Sequence, residues 1–266
     1  MNDQHPSSGA PVLLVAGGTR GIGAAIVARA RARGARVAYC GRSVPESGDV
    51  DGSMCGRNLL ALRADIARED DVDRVFEQTL AAFGRIDAVV CNAAINRPGL
   101  LVSFPDRHWQ ELFAVNLTAS FLLARRAVRG FFEQERPGHI VFMGSLMQEG
   151  SPAGACYATS KGAQLGLARG IARAYGPFGI TANVVVCGYV PTELTRELTE
   201  PMKQALVEAC PQRRAATAEE VAAVVTFLTL GDGTRLNGQV IRVAGGLTEV
   251  PAPTTPPRRD DDARAS

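Results

Sequence analysis

Residues 16–23 read Ala-Gly-Gly-Thr-Arg-Gly-Ile-Gly, and this glycine-rich stretch decides the fold. An apolar run at residues 12–15 precedes it, and residues 24–33 follow it with a helical pattern. A buried strand, a glycine turn and a helix start together suit the pyrophosphate of a dinucleotide. Glycine lets the backbone approach the phosphates, and the helix N-terminus presents free amide donors. A glycine motif alone would not separate a nucleotide site from an ordinary strand–helix turn.

A second signature lies further along the chain, where Tyr157 and Lys161 are four residues apart and Ser145 lies twelve residues upstream of the tyrosine. On a helix, residues four apart share one face. A cation held beside a phenol favours its charged form, so we expect Lys161 to lower the pKa of Tyr157 from its reference of about 10. Such a tyrosine can exchange a proton with a carbonyl or an alcohol. The two signatures in this order predict a nicotinamide-dependent site.

Size and composition indicate one soluble globular domain. The chain has 266 residues, of which 46% are hydrophobic and 21% charged, and its net charge of +2 gives no reason to expect nucleic acid or anionic lipid as a partner. We predict a single domain over residues 11–250, with disordered tails at 1–10 and 251–266. The N-terminal residues carry no basic segment typical of a secretory signal, and no apolar run approaches the length of a membrane span. A cytoplasmic protein is therefore expected.

The cysteines and histidines give no pattern of metal ligation. There is no Cys-x-x-Cys pair among the six cysteines, and the three histidines are scattered. We therefore predict reduced, mostly buried thiols and no metal site.

Alternating strand and helix patterns predict an α/β fold. The predicted strands lie near 11–17, 35–40, 59–63, 86–91, 138–144, 180–187 and 239–243. The predicted helices lie near 22–33, 68–83, 106–135, 155–176, 193–209 and 218–230, with Asp106 and Thr217 as N-caps. Residues 43–58 contain one proline and three glycines where a crossover helix would be usual, so a loop or a broken helix is expected there.

Along residues 11–247 the chain resembles the classical short-chain dehydrogenases/reductases, and is similar to their 3-oxoacyl-carrier-protein reductase-like members. The resemblance implies a Rossmann-like fold, a doubly wound seven-stranded parallel sheet flanked by helices. It also implies a catalytic tetrad, in which Asn116 helps to hold the lysine and a proton-relay water. The tetrad consists of Asn116, Ser145, Tyr157 and Lys161. The expected cofactor contacts are Gly17, Thr19, Arg20, Gly21, Ile22, Gly23, Arg42, Ser43, Asp65, Ile66, Asn92, Ala93, Tyr157, Lys161, Gly188, Val190 and Thr192.

The residues after the second strand bear on the choice of cofactor. NAD-selective dinucleotide sites place an acidic residue there to hold the ribose 2′-hydroxyl. Residues 38–43 contain no carboxylate, and they include Arg42. A guanidinium can bind a 2′-phosphate, and Arg20 in the glycine loop offers a second cation. The alternative is that Arg42 is a solvated loop residue. The missing acid favours NADP(H).

The sequence gives little information about the identity of the substrate. The expected pocket walls are residues 96–98, 146–150 and 189–214, the last forming a lid. In the family, carrier-dependent members tend to place a basic residue before the glycine that opens the sixth strand. Here Phe178 stands at that position and Arg136 remains, which argues mildly against a housekeeping fatty-acid role. A metabolic or secondary-metabolite ketone and a sugar-like alcohol stay equally open.

The main prediction is an NADP(H)-dependent oxidoreductase that reduces a carbonyl to an alcohol, or the reverse, with Tyr157 as acid and base. Two alternatives stay open: the same fold used for epimerisation or dehydration, and a non-catalytic NADP(H)-binding regulator. The resemblance further implies a homotetramer, with a dimer as the alternative.

Overall fold

The computed structural model describes residues 9–44, 58–151 and 154–248. Within them, seven parallel strands form one sheet in the order β3-β2-β1-β4-β5-β6-β7. The strands are β1 Val12–Ala16, β2 Arg36–Gly41, β3 Leu59–Arg63, β4 Ala88–Cys91, β5 Gly138–Ser145, β6 Ile180–Cys187 and β7 Val240–Val243. The predicted doubly wound sheet is confirmed. The strand order reverses between β1 and β4, and this switch point is where such sheets bind ligands, at the carboxyl ends of the strands.

Helices cover both faces of the sheet. They are α1 Gly21–Ala32, α2 Glu69–Phe83, α3 Asp106–Phe113, α4 Ala119–Glu133, α5 Ala155–Tyr175, α6 Glu200–Ala209 and α7 Ala218–Thr229. Alternate strand residues enter two different cores. On β5, Ile140 and Phe142 face the core that includes residues of α2, α4 and α5, whereas Val141 and Met143 face the core that includes residues of α1 and α7. Burial on both faces explains why the central strands are continuous apolar runs.

The predicted helix over 106–135 is interrupted, and its predicted N-cap is wrong. The helix α3 ends at Phe113, a π-helical turn occupies Ala114–Thr118, and α4 follows. Pro105 is the N-cap, with extended backbone, and Asp106 is the first helical residue. A carboxylate in the first turn favours the helix through the macrodipole, so the aspartate has a helix-start role one position later than predicted.

The predicted helix over 193–209 is also divided. A 3₁₀ turn covers Glu193–Thr195, and α6 begins only at Glu200, after the N-cap Thr199. Proline has no amide hydrogen to donate, so Pro201 is tolerated only in the first turn of a helix. This restriction places the start of α6 directly before Pro201.

Thr217 is the N-cap of α7, as predicted. Its hydroxyl accepts a hydrogen bond from the Glu220 amide at 3.1 Å, and the Glu220 carboxylate accepts one from the Thr217 amide at 2.9 Å. Arg214 also contacts this carboxylate, at 2.6 Å. The two reciprocal bonds form a capping box.

We expect Thr217→Ala to lower the free energy of unfolding by about 1 kcal/mol, because the Glu220 amide in the first turn loses the hydroxyl that accepts its hydrogen bond. Urea denaturation followed by circular dichroism measures this change. Thr217→Ser keeps the hydroxyl and is the control, with an expected loss of less than half that value. Equal losses for the two variants would show that the hydroxyl does not act as the cap.

Candidate active site

The glycine loop is held in a tight turn by its neighbours. Gly17 has a φ of +76°, and its amide donates to the carbonyl of Cys40 at 2.8 Å. The side-chain amide of Asn92 donates to the Gly17 carbonyl oxygen at 2.7 Å. A Cβ at Gly23 would overlap that same oxygen, and a Cβ at Gly17 would lie 2.7 Å from the Cα of Ala93. Backbone from three strand ends therefore meets here with no space for side chains.

The N-terminus of α1 opens onto this loop. Arg20 is the N-cap with extended backbone, and no side-chain cap to the first turn is present. Gly21, the first helical residue, has a φ of +54°, and Ile22 follows it. The amide donors of an uncapped first turn, next to a loop that excludes side chains, are the features with which Rossmann-type sites hold a pyrophosphate. The residues present therefore fit a dinucleotide.

The predicted adenosine contacts lie at the ends of β2 and β3. The Thr19 side chain packs against Gly41, so closely that a Cβ at Gly41 would lie 2.9 Å from the Thr19 Cγ2. Arg42 and Ser43 follow Gly41 and are exposed. Most of the predicted loop over 43–58 lies outside the described residues.

Asp65 and Ile66 follow β3 in a compact turn. The Asp65 amide donates to the Asp71 carboxylate at 2.7 Å, and the Asp65 carboxylate accepts from the Ala67 amide at 3.2 Å. Ile66 is buried in the core. Because β2 and β3 pair directly, this turn lies next to the end of β2.

Arg20 has a partner that the sequence did not predict. Its guanidinium lies 2.5 Å from the carboxylate of Glu193, across 173 residues of sequence. A Cβ at Gly21 would lie 3.3 Å from the Thr192 side chain. The start of the predicted lid therefore contacts the glycine loop, and Arg20 connects the two segments.

The predicted catalytic side chains converge at the C-terminal end of β5. Ser145 is the last residue of that strand, and its side chain interacts with the phenol of Tyr157 on α5. Tyr157 is 5% exposed and Lys161 is 2% exposed. The Lys161 ammonium donates to the Met143 carbonyl at 2.7 Å and lies 6.0 Å from the centre of the tyrosine ring. The buried Tyr157 and Lys161 therefore lie together with Ser145 at the carboxyl end of β5.

Burial dominates the electrostatics of this corner. It raises the pKa of Tyr157, while the interaction with Ser145 lowers it and Cys187 raises it further. Burial also lowers the pKa of Lys161 to about 8, against smaller opposing effects of Cys187 and Cys91. The net effect of the protein's own groups is a raised pKa, so the prediction that the pKa of Tyr157 lies below its reference of about 10 is wrong. Removal of the phenol from water is the largest cause of its raised pKa.

Asn116 lies in the π-helical turn and is fully buried. Its side chain accepts from the Ile95 amide at 2.9 Å and donates to the Ile95 carbonyl at 3.0 Å. It also donates to the Ser160 hydroxyl at 3.1 Å, and Ser160 donates to the Tyr157 carbonyl at 2.8 Å. Asn116 thus joins the loop after β4 to the helix that carries the tyrosine and the lysine.

Sequence reasoning missed Ser160 and a further buried residue, Gln164. Together with Tyr157 and Lys161, they follow the i, i+3, i+4, i+7 spacing of one helix face. All four residues are buried. Their polar character at the inward-facing positions of α5 was the signal that could have identified Ser160 and Gln164.

The remaining predicted contacts follow β6. A Cβ at Gly188 would lie 2.9 Å from the Cα of Ala244, so the chain passes close to the segment after β7. Val190 is 3% exposed. Thr192 forms a capping box with Thr195 at the start of the 3₁₀ turn.

The rest of residues 9–44, 58–151 and 154–248 shows few features of a second site. No group of three or more potential metal ligands occurs there. None of the helices described has the length and apolarity needed to cross a membrane. Two surface cavities of about 280 and 490 Å³ lie away from the predicted catalytic residues. The five cysteines in these ranges are free and buried.

Comparison with known proteins agrees with this geometry. Residues 16–248 match the family model described as enoyl-(acyl carrier protein) reductase. The chain is 36% identical over 236 residues to the 3-oxoacyl-[acyl-carrier-protein] reductase MabA of Mycobacterium avium, covering 88% of this chain and 89% of the relative. It is 32% identical over 238 residues to FabG of Escherichia coli (strain K12), covering 89% and 96%. The chain belongs to the short-chain dehydrogenase/reductase family.

Solved structures of this family show the same fold. A 3-ketoacyl-(acyl-carrier-protein) reductase from Brucella melitensis, complexed with NADH, matches with a TM-score of 0.84 at 24% identity, over 90% of this chain and 99% of that chain. A blue fluorescent protein from a metagenomic library, in complex with NADPH, matches with a TM-score of 0.80 at 33% identity, over 90% and 98%. This short-chain dehydrogenase/reductase is accordingly an oxidoreductase of the ketoreductase-like branch.

Proposed function

We propose that the chain is an NADP(H)-dependent reductase that converts a ketone to an alcohol, or catalyses the reverse reaction. The observation that carries this proposal is the convergence of Ser145 with the buried Tyr157 and Lys161 at the carboxyl end of the sheet, where the glycine loop also lies. A proton donor beside a dinucleotide site is what carbonyl reduction requires.

The proposed chemistry divides between cofactor and protein. When bound, the nicotinamide would supply the hydride to the carbonyl carbon. Tyr157 donates its phenolic proton to the carbonyl oxygen, so the substrate gains one hydride and one proton. The raised pKa of Tyr157 keeps the phenol protonated before reaction. Ser145 orients the substrate oxygen, and the charge of Lys161 stabilises the phenolate that forms.

The residues that would hold the cofactor follow from the site. The uncapped start of α1 and the glycine loop would hold the pyrophosphate. Lys161 would also bind the nicotinamide ribose, as the family resemblance implies. Asp65, Ile66, Asn92 and Ala93 lie along the intervening strand ends, and Gly188, Val190 and Thr192 lie after β6.

A preference for NADP(H) over NAD(H) is supported by the end of β2. Arg42 is exposed there, and no carboxylate precedes it within the strand. Of the structural relatives, one is described with NADH and one with NADPH, so the family alone does not decide. A guanidinium beside a 2′-phosphate gives the charge-assisted bonds that would discriminate.

We expect Arg42→Ala to weaken NADPH binding about tenfold or more, since a hydrogen bond to a charged group contributes about 1.5–3 kcal/mol. NADH binding should change by less than about twofold, because NADH lacks the 2′-phosphate. Titrations of cofactor fluorescence measure both constants, and the exposed Arg235→Ala is the control. Equal loss of both cofactors, or a wild-type preference for NADH, would contradict the assignment.

The relatives' names point to 3-oxoacyl thioesters, while one surface feature argues for free ketones. Phe178 is 58% exposed, and its ring packs 4.9 Å from that of Phe132 on α4. Phe178 stands where carrier-dependent members tend to have a basic residue, and an apolar surface suits an acidic carrier protein poorly. We propose a metabolic or secondary-metabolite ketone. Rates with acetoacetyl thioesters, free and carrier-bound, against cyclic ketones test this choice, and a marked preference for the carrier-bound form would reject it.

The alternative functions, a regulatory role and redox-neutral chemistry, can be separated from net reduction. The complete set of Asn116, Ser145, Tyr157 and Lys161 favours catalysis over a purely regulatory role. Consumption of NADPH in step with substrate separates net reduction from epimerisation or dehydration. Cytoplasmic location, disordered tails and assembly as a homotetramer or dimer stay predictions.

A further inference from the structure

The turn after β3 leaves one oxygen atom for a ligand. The Asp65 carbonyl accepts a hydrogen bond from the Arg68 amide at 2.9 Å, and the Asp65 Oδ1 accepts one from the Ala67 amide at 3.2 Å. The Asp65 amide donates to the Asp71 carboxylate at 2.7 Å. The Asp65 Oδ2 has no hydrogen-bond partner in the part of the chain that the structure describes. Because Asp65 is only half-buried, this carboxylate oxygen is the polar atom that the turn can offer to a bound molecule.

Asp71 connects this turn to the first turn of α2. Its Oδ2 accepts from the Asp65 amide at 2.7 Å, and its Oδ1 accepts from the Arg74 guanidinium, also at 2.7 Å. The Arg74 guanidinium donates in addition to the carbonyl of Arg63, the last residue of β3, at 3.0 Å. The two side chains of α2 therefore hold the backbone on both sides of the turn, at the end of β3 and at Asp65 itself.

Asp71 is a charged acceptor in this network. The hydrogen bond from Arg74 and then the one from the Asp65 amide lower the pKa of Asp71, so its carboxylate is ionised at neutral pH. A hydrogen bond to an ionised acceptor is stronger than one between neutral groups. Rotation of the backbone at Asp65 would break this bond and would also redirect the Asp65 side chain. Asp71 therefore fixes the direction in which the Asp65 carboxylate points.

The proposed cofactor brings its adenine base to this turn. Rossmann-type sites hold the pyrophosphate at the start of α1 and the adenosine ribose at the end of β2. Gly41, the last residue of β2, pairs with Arg63, the last residue of β3, and Asp65 follows two residues later. A base attached to that ribose would therefore lie beside the turn. The exocyclic amino group of adenine is a hydrogen-bond donor, and the Asp65 Oδ2 is the acceptor that matches it.

We propose that Asp71 is a positioning residue for the adenine base of the cofactor, which it does not touch, and that it acts by holding the Asp65 Oδ2 in line with the adenine amino group. The inference rests on the proposed function, in which Asp65 is a cofactor contact. A residue that only stabilises the start of α2 would change the stability of the fold. A positioning residue also decides which base the site accepts, and this difference can be measured.

The probe is a pair of cofactors that differ only at the base. NADPH carries the adenine amino group, whereas reduced nicotinamide hypoxanthine dinucleotide phosphate carries an oxygen acceptor at the same position. The ratio of their two dissociation constants, taken from titrations of cofactor fluorescence, is called the base discrimination below. We expect wild-type protein to bind NADPH about tenfold more tightly or better, because the hypoxanthine form loses a hydrogen bond to a charged group.

Three variants isolate the contribution of Asp71. Asp71→Ala removes the acceptor of the Asp65 amide, and we expect the base discrimination to fall to within about twofold of unity. Asp71→Asn keeps an oxygen at this position, so it should retain more than half of the wild-type discrimination. Asp70→Ala is the matched control, because Asp70 is an exposed acid in the same first turn of α2 and is equally close to the helix N-terminus. It should discriminate as the wild type does.

A double-mutant cycle tests whether Asp71 acts through Asp65. Asp65→Ala should remove the base discrimination alone, and Asp65→Ala combined with Asp71→Ala should lower it no further, because the two residues belong to one path. Both constants are measured on one preparation, so a partly unfolded variant changes the binding capacity and leaves their ratio unaffected. The midpoint of thermal unfolding, measured in parallel, records any loss of stability separately.

The results that overturn the role of Asp71 are specific. Asp71→Ala with wild-type base discrimination would do so, and so would an equal loss in Asp70→Ala, which would assign the effect to charge at the helix start. A wild-type protein that binds both cofactors equally would also overturn it. Failure of the wild-type protein to reduce any ketone, with base discrimination intact, would instead contradict the proposed reductase function.

Discussion

Replacing Tyr157 with phenylalanine is expected to lower kcat for ketone reduction about 10³-fold, within the range that a general acid contributes. In the proposed mechanism the phenol donates its proton to the substrate oxygen, and the phenylalanine ring has no proton to donate. The ring is 5% exposed, so phenylalanine keeps its packing. The NADPH dissociation constant should stay within about threefold, because most of the proposed cofactor contacts come from other residues. Absorbance assays of NADPH oxidation and cofactor titration measure the two effects.

A matched control lies on the same helix. Tyr175, the last residue of α5, packs 5.8 Å from the ring of Phe132 and faces none of the catalytic groups in the structure described. Tyr175→Phe should retain wild-type kcat. If Tyr157→Phe kept more than about one tenth of wild-type turnover, another group would have to be the acid.

Replacing Lys161 with methionine is expected to abolish turnover and to stabilise the fold at neutral pH. The side chain is 2% exposed, and burial lowers its pKa from 10.5 to about 8. Between these two values the unfolded chain binds more protons than the folded chain, so wild-type stability rises with pH across that window. Below about pH 8 both states are protonated, and the folded state carries the full cost of a buried charge. Methionine removes that cost.

The expected gain is on the order of 2 kcal/mol at pH 7, since each pKa unit corresponds to about 1.4 kcal/mol and the lost hydrogen bond to Met143 offsets part of it. Urea denaturation of both proteins at pH 7 and pH 10 measures this. The gap between variant and wild type should shrink as pH rises, because the wild-type lysine loses its proton in the folded state. A variant that is less stable than wild type at pH 7 would contradict a desolvated lysine.

The fold was predictable because its signals are local. The glycine loop predicts the pyrophosphate site, and the Tyr157–Lys161 spacing predicts the proton-transfer site. The apolar runs predict the strands. The π-helical turn at Asn116 was not predictable, because one extra residue per turn barely alters the apolar stripe. The pairing of Arg20 with Glu193 connects residues 173 apart, and no local pattern carries such information.

The error about the tyrosine pKa has a different origin. Spacing on a helix predicts that Tyr157 and Lys161 lie on one face, which is correct. It carries no information on how deeply both are buried. Desolvation raises the phenol's pKa and lowers the lysine's, and it is the largest cause of both shifts. In the same way, the family resemblance pointed to Asn116 but not to the two α5 side chains, Ser160 and Gln164, that hold it.

The most direct test is the stoichiometry of turnover in the wild-type protein, measured as NADPH oxidised against alcohol formed from a reactive ketone. If Tyr157 donates a proton while the nicotinamide donates a hydride, we expect one NADPH to be oxidised for each alcohol formed. Product that appears without NADPH oxidation, or bound NADPH that is oxidised by neither acetoacetyl thioesters nor cyclic ketones, would contradict it.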